Sequence, residues 1–193
     1  MILIKDSEFI RGNCPMTKED IRALSIWKMD LREDSKVLDI GSGTGTITVQ
    51  SAKIATEGKV YAVEKDSDAY EVSMKNIEKF NCNNIELTKG DARDVLDLHI
   101  ENKLLFDSIF IGGSGGGLLD IIEKSDKLLK ENGVIVMNFI TLNNAYKGID
   151  KVKSLNYKTD ISMVNISKNK GESYMMIANN PIYIVKCVRK GDE

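Results

Sequence analysis

The sequence predicts an α/β protein: a mostly parallel β-sheet with helices packed on both faces. Three observations point there. Short apolar runs alternate with helix-length amphipathic segments through the middle of the chain, the first of these runs ends in a cluster of glycines, and the last two strand-like runs have no helix between them. With 193 residues, 42% apolar and 29% charged, the chain suits one globular domain over 1–193, large enough to need no disulfide or metal for stability.

Each element has its own signal. Pro15 precedes Thr17-Lys-Glu-Asp20, a capping-box pattern that predicts a helix carrying Ile21, Leu24, Ser25 and Ile26 toward Met29. Lys36-Val-Leu-Asp-Ile40 reads as a buried strand, and 46–56 as a helix with Ile47, Ser51, Ile54 and Ala55 near helical spacing. A second strand follows at 59–64, then a helix over 67–80 on which Ala69, Val72, Ile77 and Phe80 recur. Further strands are predicted at 84–88, 106–111 and 133–137, with a helix at 118–130 between the last two. After a helix over 143–155, strands at 157–167 and 182–189 should pair antiparallel, separated by turn residues at 168–172 and 178–181. The expected division is a covering segment at 1–30, a ligand-binding core at 36–140, and a C-terminal helix with the antiparallel pair at 143–193.

Composition excludes several functions. Twenty-seven basic residues against 29 acidic ones give a net charge of −2, which argues against nucleic acid as the main partner. The longest apolar stretch, 133–142, is too short to cross a bilayer, and no secretory signal pattern is visible; a cytoplasmic protein with no membrane partner is expected. Cys14, Cys82 and Cys187 are too widely spaced for a zinc motif or a disulfide framework. The single histidine, His99, reads as a surface side chain near a loop, so histidine-dependent triads and imidazole metal sites are not expected.

The sharpest signal is Asp39-Ile-Gly41-Ser42-Gly43-Thr44-Gly45, where a strand runs into three glycines and then a helix. Glycines there permit positive φ and let a ligand lie against the backbone, at the strand end where open α/β sheets bind ligands. A dinucleotide fingerprint would require glycine at 46, which is Thr46. The observed pattern resembles motif I of the class I S-adenosylmethionine-dependent methyltransferases. Glu64 closes the second strand, where a carboxylate can accept from both ribose hydroxyls of such a ligand. Gly90-Asp91-Ala92-Arg93 follows the third strand, where that superfamily places its adenine contacts, with Asp91 accepting from the exocyclic amine. The fourth strand ends in Ile111-Gly112-Gly113-Ser114-Gly115-Gly116-Gly117, leaving bare backbone for a large flat substrate. Asn179-Asn-Pro-Ile-Tyr183 has the look of the N-P-P-Y motif of amine methylases. It precedes the last strand, however, which reads as the wrong end of the sheet, so it is taken as a turn.

Asp6-Ser-Glu-Phe-Ile-Arg11, the Pro15-Met-Thr-Lys-Glu19 block with Ile21-Arg-Ala-Leu24, the glycine run at 111–116 and the late Asn180-Pro181 narrow the resemblance. Together they are similar to the decarboxylating C15-methyltransferases of cobalamin biosynthesis, of the stand-alone anaerobic type. The resemblance implies a Rossmann-like fold with a seven-stranded sheet, one strand antiparallel, assembled as a homotetramer. It implies S-adenosyl-L-methionine held by Thr17, Asp39, Gly41, Ser42, Gly43, Thr44, Gly45, Glu64, Asp91 and Ala92. The implied substrate is a corrinoid, cobalt-precorrin-6B or precorrin-6B, methylated at C15 with loss of carbon dioxide from the C12 acetate. Candidate substrate contacts are the basic Arg11, Lys18, Arg22 and Arg93, facing its carboxylates, with Gly112, Gly113, Ser114, Gly115 and Gly116 beneath the ring. The electron-rich macrocycle can itself supply the nucleophilic carbon, so no catalytic side chain is named. Alternative readings are a protein isoaspartyl methyltransferase and a non-catalytic S-adenosylmethionine-binding protein.

Overall fold

The computed structural model describes residues 3–170, 172 and 174–190. The expected segments 1–30 and 143–193 and the turn at 168–172 are therefore only partly within it. After a 3-10 turn at Asp6–Glu8 come α1 (Glu19–Lys28), β1 (Lys36–Ile40), α2 (Thr46–Ala52), β2 (Lys59–Glu64), α3 (Ser67–Lys79) and β3 (Ile85–Lys89). The chain continues through α4 (Ala92–Glu101), β4 (Phe106–Ile111), α5 (Leu118–Leu128), β5 (Leu129–Phe139) and α6 (Leu142–Ser154). It ends with β6 (Tyr157–Val164), β7 (Ser167–Lys170), β8 (Met175–Ala178) and β9 (Ile182–Arg189).

Seven strands form one sheet in the order β3-β2-β1-β4-β5-β9-β6, with β9 antiparallel to both neighbours. This is the α/β architecture the sequence predicts, including the antiparallel late pair. Val37, Leu38 and Ile40 on β1 and Ile109, Phe110 and Ile111 on β4 are nearly or wholly inaccessible, as central parallel strands covered on both faces must be. Two apolar layers result, one on each face of the sheet: Leu38, Ile109, Ile122 and Ile135 belong to one, and Val37, Val49, Phe110 and Val136 to the other. The chain order reverses between β1 and β4, so the helices that follow these strands, α2 and α5, pack on opposite faces and leave a crevice at the carboxyl end of the sheet.

Four local expectations are corrected. Thr17 does not cap α1, because the helix begins at Glu19 with Lys18 at the cap and no side-chain cap bond, while the Thr17 carbonyl is bonded to Arg22. The stretch 92–101 is a helix, and His99 on it is buried, its ring edge-on to Tyr61 and tilted against Phe106. Residues 167–170 form β7, paired antiparallel with β8 in a separate two-stranded sheet, where only turn residues were expected. Last, the start of β9 is not at the wrong end of the sheet. An antiparallel strand begins where its parallel neighbours finish, and Tyr183 lies opposite Phe139 at the end of β5.

Candidate active site

The loops after β1, β2, β3 and β4 open into one cavity of about 720 Å³. Gly41, Gly43 and Gly45 all have positive φ, at 77°, 56° and 77°. At Gly41 the reason is a backbone crossing, since a Cβ there would lie 2.8 Å from the Gly113 nitrogen and 2.9 Å from its Cα. The loops after β1 and β4 are thereby held together, with the Gly112 amide donating to the Ile40 carbonyl at 3.0 Å. Gly43 faces the N-terminal segment, and a Cβ on it would meet the Pro15 carbonyl oxygen at 2.8 Å. Thr17, Gly41, Ser42 and Gly43 line the cavity; Thr44 and Gly45 stand behind it, Gly45 against Ser73 of α3.

Glu64 is held in place by backbone amides. Its Oε1 accepts from the Lys65 and Asp66 amides at 2.9 Å each, and Oε2 accepts from the Gly43 amide at 2.8 Å. A carboxylate offers about four acceptor positions, so Glu64, on the cavity wall, keeps capacity for a further donor.

Asp39 does not line the cavity. It is wholly buried under the loop, where Oδ2 accepts from the Thr48 hydroxyl at 2.5 Å and Oδ1 has no protein partner. Burial, reinforced by nearby Glu64 and opposed by Thr48, pushes its carboxyl up to about 7. Asp91 caps α4 by accepting from the Arg93 amide at 3.0 Å, and both its oxygens face the Arg93 guanidinium at 2.9 Å. That pairing holds the Asp91 carboxyl well below the usual range. Asp91 and Ala92 line the cavity, whereas Arg93 turns outward toward Gly117.

Of the glycine run, Gly112, Gly113, Ser114 and Gly115 reach the cavity and Gly116 does not. Lys65 packs into the space a side chain at Gly115 would need, bringing a cation to the glycine run that the sequence did not single out. Cys14 is also on the wall; burial is the largest influence on its thiol and pushes it up, disfavouring the nucleophilic thiolate.

Arg22 is corrected as a surface candidate. Its guanidinium is inaccessible, donating to the Thr17 carbonyl at 2.8 Å, to Asp6 Oδ1 at 3.1 Å and to the Ile4 carbonyl. It fastens the N-terminal segment to α1 and reaches neither the main cavity nor the recess beside it. Lys18 lines both, and Arg11 lines the recess.

Sequence reasoning missed the far wall. Asn138 at the end of β5 donates from Nδ2 to Ser25 Oγ at 2.9 Å, and Asn179 and Asn180 face the same space across Ile140, Val164 and Ile182. The available signal was topological: once β9 is antiparallel, the residues before it must arrive at the ligand end. Five carboxylates (Asp20, Glu64, Asp66, Asp68 and Asp91) line the main cavity against two lysines, Lys18 and Lys65.

Residues 8–180 match a family model described as precorrin methyltransferase domain. A Sulfurisphaera tokodaii protein named "probable cobalt-precorrin-6B C(15)-methyltransferase (decarboxylating)" is 45% identical, the match covering 94% of this chain and 95% of that protein. A Methanocaldococcus jannaschii protein of the same name is 44% identical over 97% of this chain and 98% of its own. Among solved structures, a precorrin-6Y C5,15-methyltransferase from Geobacter metallireducens superposes with a TM-score of 0.91 at 32% identity, covering 98% of this chain and 97% of that one. A precorrin 8w decarboxylase from Methanobacterium thermoautotrophicum gives 0.87 at 26%, covering 95% and 98%. With glycine loop, acidic cavity and antiparallel strand in place, and with this family model spanning most of its length, the chain belongs to the precorrin methyltransferase family.

Proposed function

We propose that this protein methylates C15 of cobalt-precorrin-6B, or of precorrin-6B, and removes carbon dioxide from the C12 acetate, with S-adenosylmethionine as methyl donor. The observation that carries the reading is the 45% identity, nearly end to end, with a relative named for that reaction. The cavity supports it. S-adenosylmethionine bears a sulfonium and an ammonium, and a wall with more carboxylates than lysines suits such a ligand. Gly43 and Gly41 leave the backbone bare beside Glu64, whose remaining acceptor capacity suits a ribose hydroxyl. When bound, the donor supplies a methyl group already activated for transfer.

In this reading Thr17, Gly41 to Gly43, Glu64, Asp91 and Ala92 hold the donor, with Asp39, Thr44 and Gly45 acting from behind the wall. Gly112 to Gly115 carry the macrocycle, with Gly116 just outside the cavity. The chain's part is positioning and the exclusion of water, because the ring carbon is the nucleophile and no side-chain base is required. The N-terminal segment 1–30 serves as the cover, and the working form is a cytoplasmic homotetramer. Tyr174, Met175, Met176 and Ile177 expose large apolar surface on and beside the β7–β8 hairpin, which supports self-association. Among the described residues no helix is long and apolar enough to cross a membrane.

Release of S-adenosylhomocysteine tests the assignment. It is expected with cobalt-precorrin-6B and absent with an isoaspartyl peptide, and Glu64→Gln should weaken donor binding about tenfold, as loss of a charge-assisted contact does. Release with the peptide alone would favour the isoaspartyl enzyme, and tight donor binding with no release on either would favour a non-catalytic protein.

A further inference from the structure

A second recess, of about 600 Å³, opens beside the main cavity and shares Lys18 and Asn179 with it. Its charge is reversed. Lys5, Arg11, Lys18 and Lys168 line it, against Asp6 and Glu19. Both acids are already engaged: Asp6 Oδ1 pairs with the buried Arg22, while Glu19 accepts from the Asp6 amide at 2.8 Å and from Lys168 Nζ at 3.0 Å. Lys168 also pairs with Asp20 at 2.5 Å, which ties β7 to α1 and forms one side of the recess. Lys5, Arg11 and Lys18 are exposed, and none pairs with a carboxylate among the described residues. Three unpaired cations therefore converge on one concavity, at the start of a ten-residue helix whose first amides lack a side-chain cap.

The two cavities form a polarised pair. An anionic ligand is repelled by the carboxylates on the main wall and attracted by the cations next door, and the shared Lys18 marks where one joins the other. A flat polycarboxylate with its reacting carbon in the main cavity cannot keep all its acidic arms there without facing Glu64, Asp66 and Asp68.

We infer that this recess is an anchoring site for carboxylate side chains of the tetrapyrrole substrate, with Lys5, Arg11 and Lys18 as the groups that hold them. The inference rests on the proposed function for the identity of the substrate, but not for the chemistry of the site, which takes polycarboxylates as a class. The recess thereby sets orientation: arms held by the N-terminal segment and β7 leave the opposite edge of the macrocycle over the glycine run. Arg11 and Lys18 thus act at this recess, and Lys5 joins them.

Uroporphyrin, an octacarboxylate porphyrin whose fluorescence reports binding, is the probe that does not depend on the reaction. Its dissociation constant should rise about fivefold for each of Lys5→Gln, Arg11→Gln and Lys18→Gln, the size of one partly solvated ion pair. It should weaken further as salt is raised. Lys127→Gln, on exposed α5 surface, is the control and should change nothing. The same three substitutions should raise the KM for cobalt-precorrin-6B by similar factors, and for Lys5→Gln and Arg11→Gln, which lie outside the main cavity, S-adenosylmethionine binding should stay within twofold, which also shows those variants to be folded. Unchanged uroporphyrin affinity in all three variants would overturn the inference, and so would an equal loss of S-adenosylmethionine binding in those two. If the wild type binds uroporphyrin through these residues but turns over no precorrin, the recess stands and the proposed reaction falls.

Discussion

Two buried titratable side chains pull the stability of this fold in opposite directions as pH changes. Asp39 has no partner for one of its oxygens, and burial raises it from 3.8 to about 7. The folded chain therefore binds that proton more tightly than the unfolded chain. The stability this provides is complete below pH 3.8 and is lost as pH rises through about 7, a span worth ~4 kcal/mol at full effect. His99 works the other way: burial lowers it from 6.5, the folded state favours the neutral ring, and stability falls as pH drops below 6.5. The two partly cancel in the wild type. Asp39→Asn should remove the falling limb between pH 4 and 7 and leave a urea midpoint that only rises with pH, the His99 contribution unmasked. Parallel profiles for variant and wild type over that range would show that Asp39 is not held neutral by its surroundings. Neither property was legible beforehand. The acid is conspicuous in the motif, but its burial follows from the covering helix α2, and His99 sits in a polar stretch whose helix brings one face against Tyr61.

At the scale of elements, the N-terminal segment before α1 is held less by its own structure than by side chains reaching to it. Asn76 on α3 accepts from the Ile10 amide at 2.8 Å, and donates to the Ile10 carbonyl at 3.0 Å and the Thr44 carbonyl at 2.9 Å. Phe9 packs tilted against Phe80 with ring centroids 4.9 Å apart, and Lys79 donates to the Glu8 carbonyl at 2.5 Å. One buried amide therefore joins N-terminal segment, helix and glycine loop. Asn76→Ala leaves three backbone groups without partners and should cost about 2–3 kcal/mol in urea denaturation. It should also weaken S-adenosylmethionine binding several-fold in calorimetry, because the loop and the N-terminal segment relax together. A stability loss with unchanged donor affinity would separate that segment from the site. The strands of the core could be read from their apolar runs, since burial on both faces leaves no other composition open to them. The anchoring of the N-terminal segment could not: its contacts are isolated bonds and one ring contact between residues 66 to 71 apart, which leave no periodic trace. Thr17-Lys-Glu-Asp20 has the letters of a capping box, yet the Thr17 carbonyl is bonded to Arg22 and the helix starts two residues later. The β7–β8 hairpin was hidden by Lys168-Asn-Lys, polar residues that sit in a strand because both its faces are largely exposed.

For the whole molecule, topology decides what meets what. The reversal of strand order between β1 and β4 opens the crevice, and the antiparallel β9 brings Asn179 and Asn180 to the same end of the sheet. One wall therefore comes from the glycine and acidic loops, which the sequence displays openly, and the other from residues that acquire meaning only when the sheet is assembled. The resulting space is acidic where a cationic methyl donor would lie and basic in the recess beside it, an arrangement suited to joining a cation to a polyanion. The reaction proposed for it has two parts that a single product reveals. Mass spectrometry of cobalt-precorrin-6B after incubation with the protein and S-adenosylmethionine should show gain of one methyl group together with loss of one carbon dioxide. Methyl gain without decarboxylation, or an unaltered substrate under conditions where the donor is bound, would contradict the account.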